Sequence, residues 1–166
     1  MAGISPSNPR YRDRATICRD ASIVLFSDLS YGTKYAVVSE ITWVWSEFDG
    51  KLKGCRYWSE RALAASGEPL IHEHVVPKSV IISKLFELSE PSQDAVEHAL
   101  EKLCIGVVVT REEDLRLNAL GLKSSMPSDW CGANPWARYE LAGVSVVDLV
   151  AASNNSFKPT LLRGTA

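Results

Sequence analysis

Two prolines, Pro69 and Pro77, bracket the seven residues Leu70-Ile71-His72-Glu73-His74-Val75-Val76. The segment is short, β-branched and stopped by a proline, so it predicts a strand that ends at a fixed point. Alternate residues of a strand face opposite sides. His72 and His74 therefore share one face, and Glu73 lies on the other with Ile71 and Val75. A bend at the strand end would bring Glu73 and His74 together. Two of the chain's three histidines sit here, which makes this the first place to look for chemistry. The third, His98, falls on the surface of a predicted helix and is given no role.

A chain of 166 residues is long enough to bury a core as one domain. Its 46% hydrophobic and 23% charged residues are ordinary for a globular protein. No apolar run approaches the ~20 residues that span a bilayer, and Met1 to Pro9 lacks the apolar stretch of a secretory signal. The expectation is a cytoplasmic protein without a membrane partner. A net charge of −2 argues against a generic nucleic-acid coat protein. Arg10, Arg12, Arg14 and Arg19 form a basic cluster that reads as a solvated entrance to the domain. The four cysteines, Cys18, Cys55, Cys104 and Cys131, include no CxxC pair, so a zinc ribbon is not expected. Cys104, in an apolar context, is expected to be buried.

Local signals divide the rest. Ala21 to Leu29 reads as a buried strand and Ser30 to Thr33 as a turn. Tyr35 to Phe48 alternates as a second strand, with Trp43 and Trp45 on one core-facing side. Asp49-Gly50 is a hairpin signal, and Lys51 to Trp58 is the returning strand. The first third thus predicts an antiparallel β-meander. Ser59 caps a short helix from Glu60 to about Ala65, stopped by Gly67. After Pro77, Ser79 to Leu88 has helical apolar spacing, and Ser92 caps a second helix that buries Val96, Leu100 and Leu103. Cys104 to Val109 is a strand. Thr110 with Glu113 forms a capping box for a helix from Arg111 to Leu120, ended by Gly121. A loop follows from Lys123 to Pro135, then a short helix from Trp136 to Ala142 and an apolar segment from Val144 to Ala152, helical after Ser145. Trp130 and Trp136, in this loop-rich part, are the better aromatic candidates for a binding surface.

Asn154 to Ala166 (NNSFKPTLLRGTA) has no periodic face and reads as a flexible tail. It resembles the endings that arise when a bacterial integron gene cassette is read through into its recombination site, which implies a mobile gene. Leu70 to Leu120 carries a second resemblance. A strand with Glu73-His74-Val75-Val76-Pro77, a strand at Gly106 to Val109 and a helix opening Thr110-Arg111-Glu112-Glu113-Asp114-Leu115-Arg116-Leu117 resemble the HNH nucleases, whose ββα-metal layout sets a divalent ion between hairpin and helix. The resemblance implies Glu73, Asp114 and Asn118 as metal ligands, the last two one helical turn apart. The ion (Mg²⁺, Mn²⁺, Ni²⁺ or Zn²⁺) would stabilise charge on a scissile phosphate. His74 would act as the base that takes a proton from water, with His72 open as a second ligand or as the base itself. The chain departs from the family in three places. No asparagine lies between Val75 and Cys104, the connection is a helical pair, and Asp114 stands where a histidine is usual.

The same residues support a reading without metal. An HxH on a strand also occurs as a partly buried pair with satisfied ring nitrogens. Glu112-Glu113-Asp114 at a helix start is what the helix dipole favours by itself. The expected fold is α+β over residues 1–153: the meander, a ββα-metal-like unit with an inserted helical pair, and a helical C-terminal region, with 154–166 as tail. The expected function is a divergent HNH-type, metal-dependent nuclease acting on DNA or RNA. The alternative is a non-catalytic protein that binds a protein partner, as an immunity or regulatory factor does.

Overall fold

A computed structural model describes residues 12–48 and 50–150. The basic residue Arg10, the hairpin residue Asp49 and the tail 154–166 lie outside the described residues. The chain is α+β, but its first third is helical. Helix α1 runs Arg14–Phe26 and α2 runs Tyr31–Ser46, so the expected strands Ala21 to Leu29 and Tyr35 to Phe48 do not form. Both helices are capped. Asp13 accepts the Thr16 amide, and Ser30, expected in a turn, accepts the Thr33 amide. The buried residues of α2 are Val38, Ile41, Thr42, Val44 and Trp45, a spacing of three and four that marks a helix face. The apparent alternation at Ile41, Trp43 and Trp45 came from a helix apolar on more than one side. On that helix Trp43 and Trp45 point about 200° apart, not to one common face.

The expected returning strand shrinks to a 3₁₀ turn at Leu52–Gly54 followed by β1, Tyr57–Ser59. Next come α3 (Glu60–Ala64), β2 (Leu70–His74), α4 (Lys78–Phe86), α5 (Gln93–Leu103), β3 (Gly106–Thr110), α6 (Arg111–Ala119), α7 (Ala137–Leu141) and β4 (Val146–Asp148). The β4 residues were expected to be helical. Instead, paired valines lie antiparallel to β1, and Asp148 meets Arg56 with N–O distances of 2.9 and 2.5 Å. Among the described residues no helix is long and apolar enough to cross a membrane.

The four strands form one sheet in the order β2-β3-β1-β4. β2 and β3 are antiparallel in full register, from Leu70 opposite Thr110 to His74 opposite Gly106, and β1 runs parallel to β3. One face of the sheet carries Val107 and Val109, packed with Leu117, Leu122 and Tyr139 beneath α6 and α7. The other carries Val108, which packs with Cys55 and Ala62. A separate helical core joins α1, α2, α4 and α5 through Ile17, Val38, Ile81, Leu85, Val96 and Leu100, and includes the buried Cys104.

The parallel neighbours β1 and β3 end alike. Ser59 closes β1 and caps α3; Thr110 closes β3 and caps α6. One carboxylate oxygen ties the two junctions. Glu113 Oε2 accepts from the Thr110 amide at 2.9 Å, the Thr110 hydroxyl at 3.0 Å and the Ser59 hydroxyl at 2.6 Å. The capping box read from the sequence is therefore also a bridge between strands. Gly121 ends α6 at φ +74°, a conformation that suits glycine.

Glu113→Ala strands three buried donors, so it is expected to lower unfolding free energy by about 2–4 kcal/mol in urea denaturation. Glu112→Ala, one residue earlier and facing solvent, should cost much less.

Candidate functional site

The structure divides the expected site between the two faces of β2. Glu73 sits on the α6–α7 side, and its carboxylate is already engaged. Oε1 is 2.6 Å from Arg138 Nη2, and Oε2 accepts from the His74 amide at 3.1 Å. Arg138 comes from the short helix α7 and is 0% exposed. Its Nε donates to the Val75 carbonyl at 2.7 Å and its Nη1 to the Leu122 carbonyl at 2.8 Å. Its Nη2 also donates to the His74 carbonyl. The guanidinium thus fastens the end of β2, the turn into α4 and the segment after α6 to one point. Tyr139 beside it is fully buried, and its hydroxyl has no partner among the described residues.

His74 lies on the other face, 2% exposed, with its Nε2 3.4 Å from the Thr42 carbonyl of α2. The Trp43 ring meets it edge-on at 4.5 Å between centroids. His72 is 6% exposed, and neither ring nitrogen has a hydrogen-bond partner among the described residues. Its ring is tightly placed: a Cβ on Gly106 would lie 2.8 Å from His72 Nε2 and 3.0 Å from the Ser46 carbonyl oxygen. Burial pushes both imidazoles down to about 4, and in His74 the Thr42 carbonyl opposes that shift in part. The strand end does not bend to bring Glu73 and His74 together; the pleat keeps them apart.

On α6, Asp114 and Asn118 do fall one turn apart, and they bond to each other, Asn118 Nδ2 donating to Asp114 Oδ2 at 3.4 Å. Among the described residues no three histidine, cysteine or acidic side chains gather as a metal-holding group. The donor set inferred for the metal is thus distributed: Glu73 on a guanidinium, Asp114 on an amide, and His72 and His74 behind the sheet under α2. The two tryptophans expected at a binding surface also make contacts within the fold. Trp130 donates to the Asn134 carbonyl at 2.7 Å and packs on the helical core. Trp136 packs between Tyr57 and Tyr139.

Arg138 was not legible as a key residue. Its one signal is a charged side chain between Trp136 and Tyr139 in a short helix, which burial alone turns into a structural group. Compared with known proteins, the chain matches no family model, no curated protein and no solved structure.

Two outcomes follow from this geometry. Arg138→Met leaves the Glu73 carboxylate and three carbonyls without their donor, and is expected to cost about 3–5 kcal/mol in a denaturant titration. Arg138→Lys should not restore the loss, since one ammonium does not reproduce the planar fork. The second outcome concerns pH. Both histidines bind protons near 6.5 when unfolded and near 4 when folded. Their neutral burial favours the fold fully above pH 6.5, and stability falls as pH drops from 6.5 to 4, by roughly 3 kcal/mol per histidine. Melting temperature followed across that window should fall, and His72→Phe should flatten part of the slope.

Proposed function

We propose that this chain is a non-catalytic partner-binding protein, of the immunity or regulatory kind, that keeps a hairpin-and-helix scaffold without metal chemistry. The observation that carries this reading is the Glu73–Arg138 contact at 2.6 Å with Arg138 wholly buried. The carboxylate that a divalent ion would need already has a cation, fixed by three backbone carbonyls. To bind there, a metal would have to displace a guanidinium whose other bonds hold the fold. The imidazole that would activate water is on the opposite face, desolvated and packed on Trp43. A general base must reach the proton it removes, directly or through one water. The resemblance of the tail to a cassette ending fits an accessory protein carried on a mobile gene.

A second reading, the divergent HNH-type nuclease, is favoured by one specific observation. β2 and β3 are antiparallel, α4 and α5 form the insertion between them, and α6 follows β3 directly. The strand-strand-helix order of that family is compatible with this path.

Calorimetric titration with Mg²⁺, Mn²⁺, Ni²⁺ and Zn²⁺, beside plasmid nicking by the same wild-type sample, separates the two. The expected result is no saturable metal binding and no nicking, with a stoichiometric protein partner co-purifying from a bacterial host. Metal-dependent nicking that disappears in His74→Asn would overturn the partner-binding reading.

A further inference from the structure

Helix α1 turns Ile17, Cys18 and Ala21 into the helical core. At 100° per residue, Arg19, Ile23 and Phe26 fall within about 60° of one another on the opposite side. Ile23 is 60% exposed and Phe26 62%. Leu29, in the turn that follows, and Tyr31, at the start of α2, are exposed as well. Four of the ten large hydrophobic side chains exposed among the described residues thus fall between positions 23 and 31.

Exposed hydrophobic residues scattered singly need no account, but a cluster marks a contact surface. At on the order of 100 Å² each, the four leave roughly 400 Å² of apolar surface in water. A standard interface takes about 800 Å² from each partner. This face with a polar rim around it therefore suits a weak association.

The charges beside it decide which partner fits. Arg19 precedes Ile23 by one helical turn, and its side chain is 60% exposed. It pairs with its neighbour Asp20 at 3.0 Å, an exposed ion pair of the kind that contributes little. Asp28 follows Phe26 at the other end and is exposed. The face runs positive, apolar, negative along α1. Turned end for end, that order is its own complement. A two-fold axis produces this reversal, because it sets the same patch of two identical chains against itself.

We propose that the outer face of α1 is a self-association surface, through which two copies of this chain form a weak two-fold dimer. The two α1 helices run antiparallel. Ile23 and Phe26 of each copy pack on those of the other. Arg19 of each copy meets Asp28 of the other, so the ion pair forms twice by symmetry. Leu29 and Tyr31 widen the contact at its ends. The surface is separate from Glu73, Asp114 and Asn118 and does not depend on the partner-binding reading.

The test is sedimentation equilibrium of the full chain. The expected result is a monomer–dimer equilibrium with a Kd on the order of 100 μM. Phe26→Asp, at an exposed position that the fold does not need, should leave a monomer throughout. Arg19→Asp and Asp28→Arg should each weaken the dimer about 10-fold by setting like charges together. The two changes made in one chain should restore it to within ~3-fold of the wild type, since the pair is then only reversed. A chain that stays monomeric up to ~1 mM overturns the proposal. Association that Phe26→Asp leaves unchanged also overturns it, by placing the contact elsewhere. No recovery in the double variant rules out the antiparallel pairing. A monomeric chain that holds a different host protein, released by Phe26→Asp, gives the face to that protein and ends the proposal.

Discussion

One buried guanidinium holds the end of β2 in place. Where β2 gives way to α4, the buried carbonyls of His74 and Val75 need donors from outside the sheet. Buried carbonyls without donors cost free energy. Arg138 supplies the donors, and it also bonds to the Leu122 carbonyl, which lies just past the end of α6. The charge is compensated by Glu73. An arginine suits this place better than a lysine because its donors are planar and fixed, so one side chain addresses several acceptors at once. Removing Glu73 leaves the buried Arg138 without its counter-charge, which is costly in the interior.

The Glu113 junction works by the same logic with the signs reversed. There a buried carboxylate gathers the hydroxyls that end β1 and β3, so two helices start from one anchored plane. Between these two anchors the sheet carries its hydrogen-bonding needs internally, and the valines of β3 fill both of its faces. Chemistry that requires an uncommitted carboxylate has little to work with on this side of the sheet. Glu73 and Glu113 are both spent on structure, and Asp114 is held by Asn118.

What the sequence revealed depended on how local the deciding force was. Ser59, Ser92 and the Thr110–Glu113 box were legible as caps because a cap is decided within four residues. β2 was legible because two prolines bound it. The helices α1 and α2 were not, because β-branched and aromatic residues such as Val37, Val38, Ile41 and Trp43 carry strand preference, and only packing against α4 and α5 decides for helix. Asp13 and Ser30 gave the capping signal, but no periodic face led to it. In the site, the residue types of Glu73 and His74 were legible and their opposite faces followed from strand alternation. The contact that decides their role was not. Arg138 is 65 residues from Glu73, and nothing local in Ala137–Leu141 announces a distant partner.

The two faces of β2 set different limits on what the histidines can do. Glu73 is within reach of solvent at 23% side-chain exposure and pairs with Arg138. His72 and His74 lie under α2, where burial disfavours the imidazolium and keeps both rings neutral at physiological pH. A neutral imidazole is competent as a base only if water reaches it. His74 is covered by Trp43 and faces the Thr42 carbonyl, so its position is set by packing. His72 differs in one respect: among the described residues its ring nitrogens have no hydrogen-bond partner. Of the two histidines in the motif, His74 is thus oriented by its contact with Thr42 and His72 by its packing against Gly106.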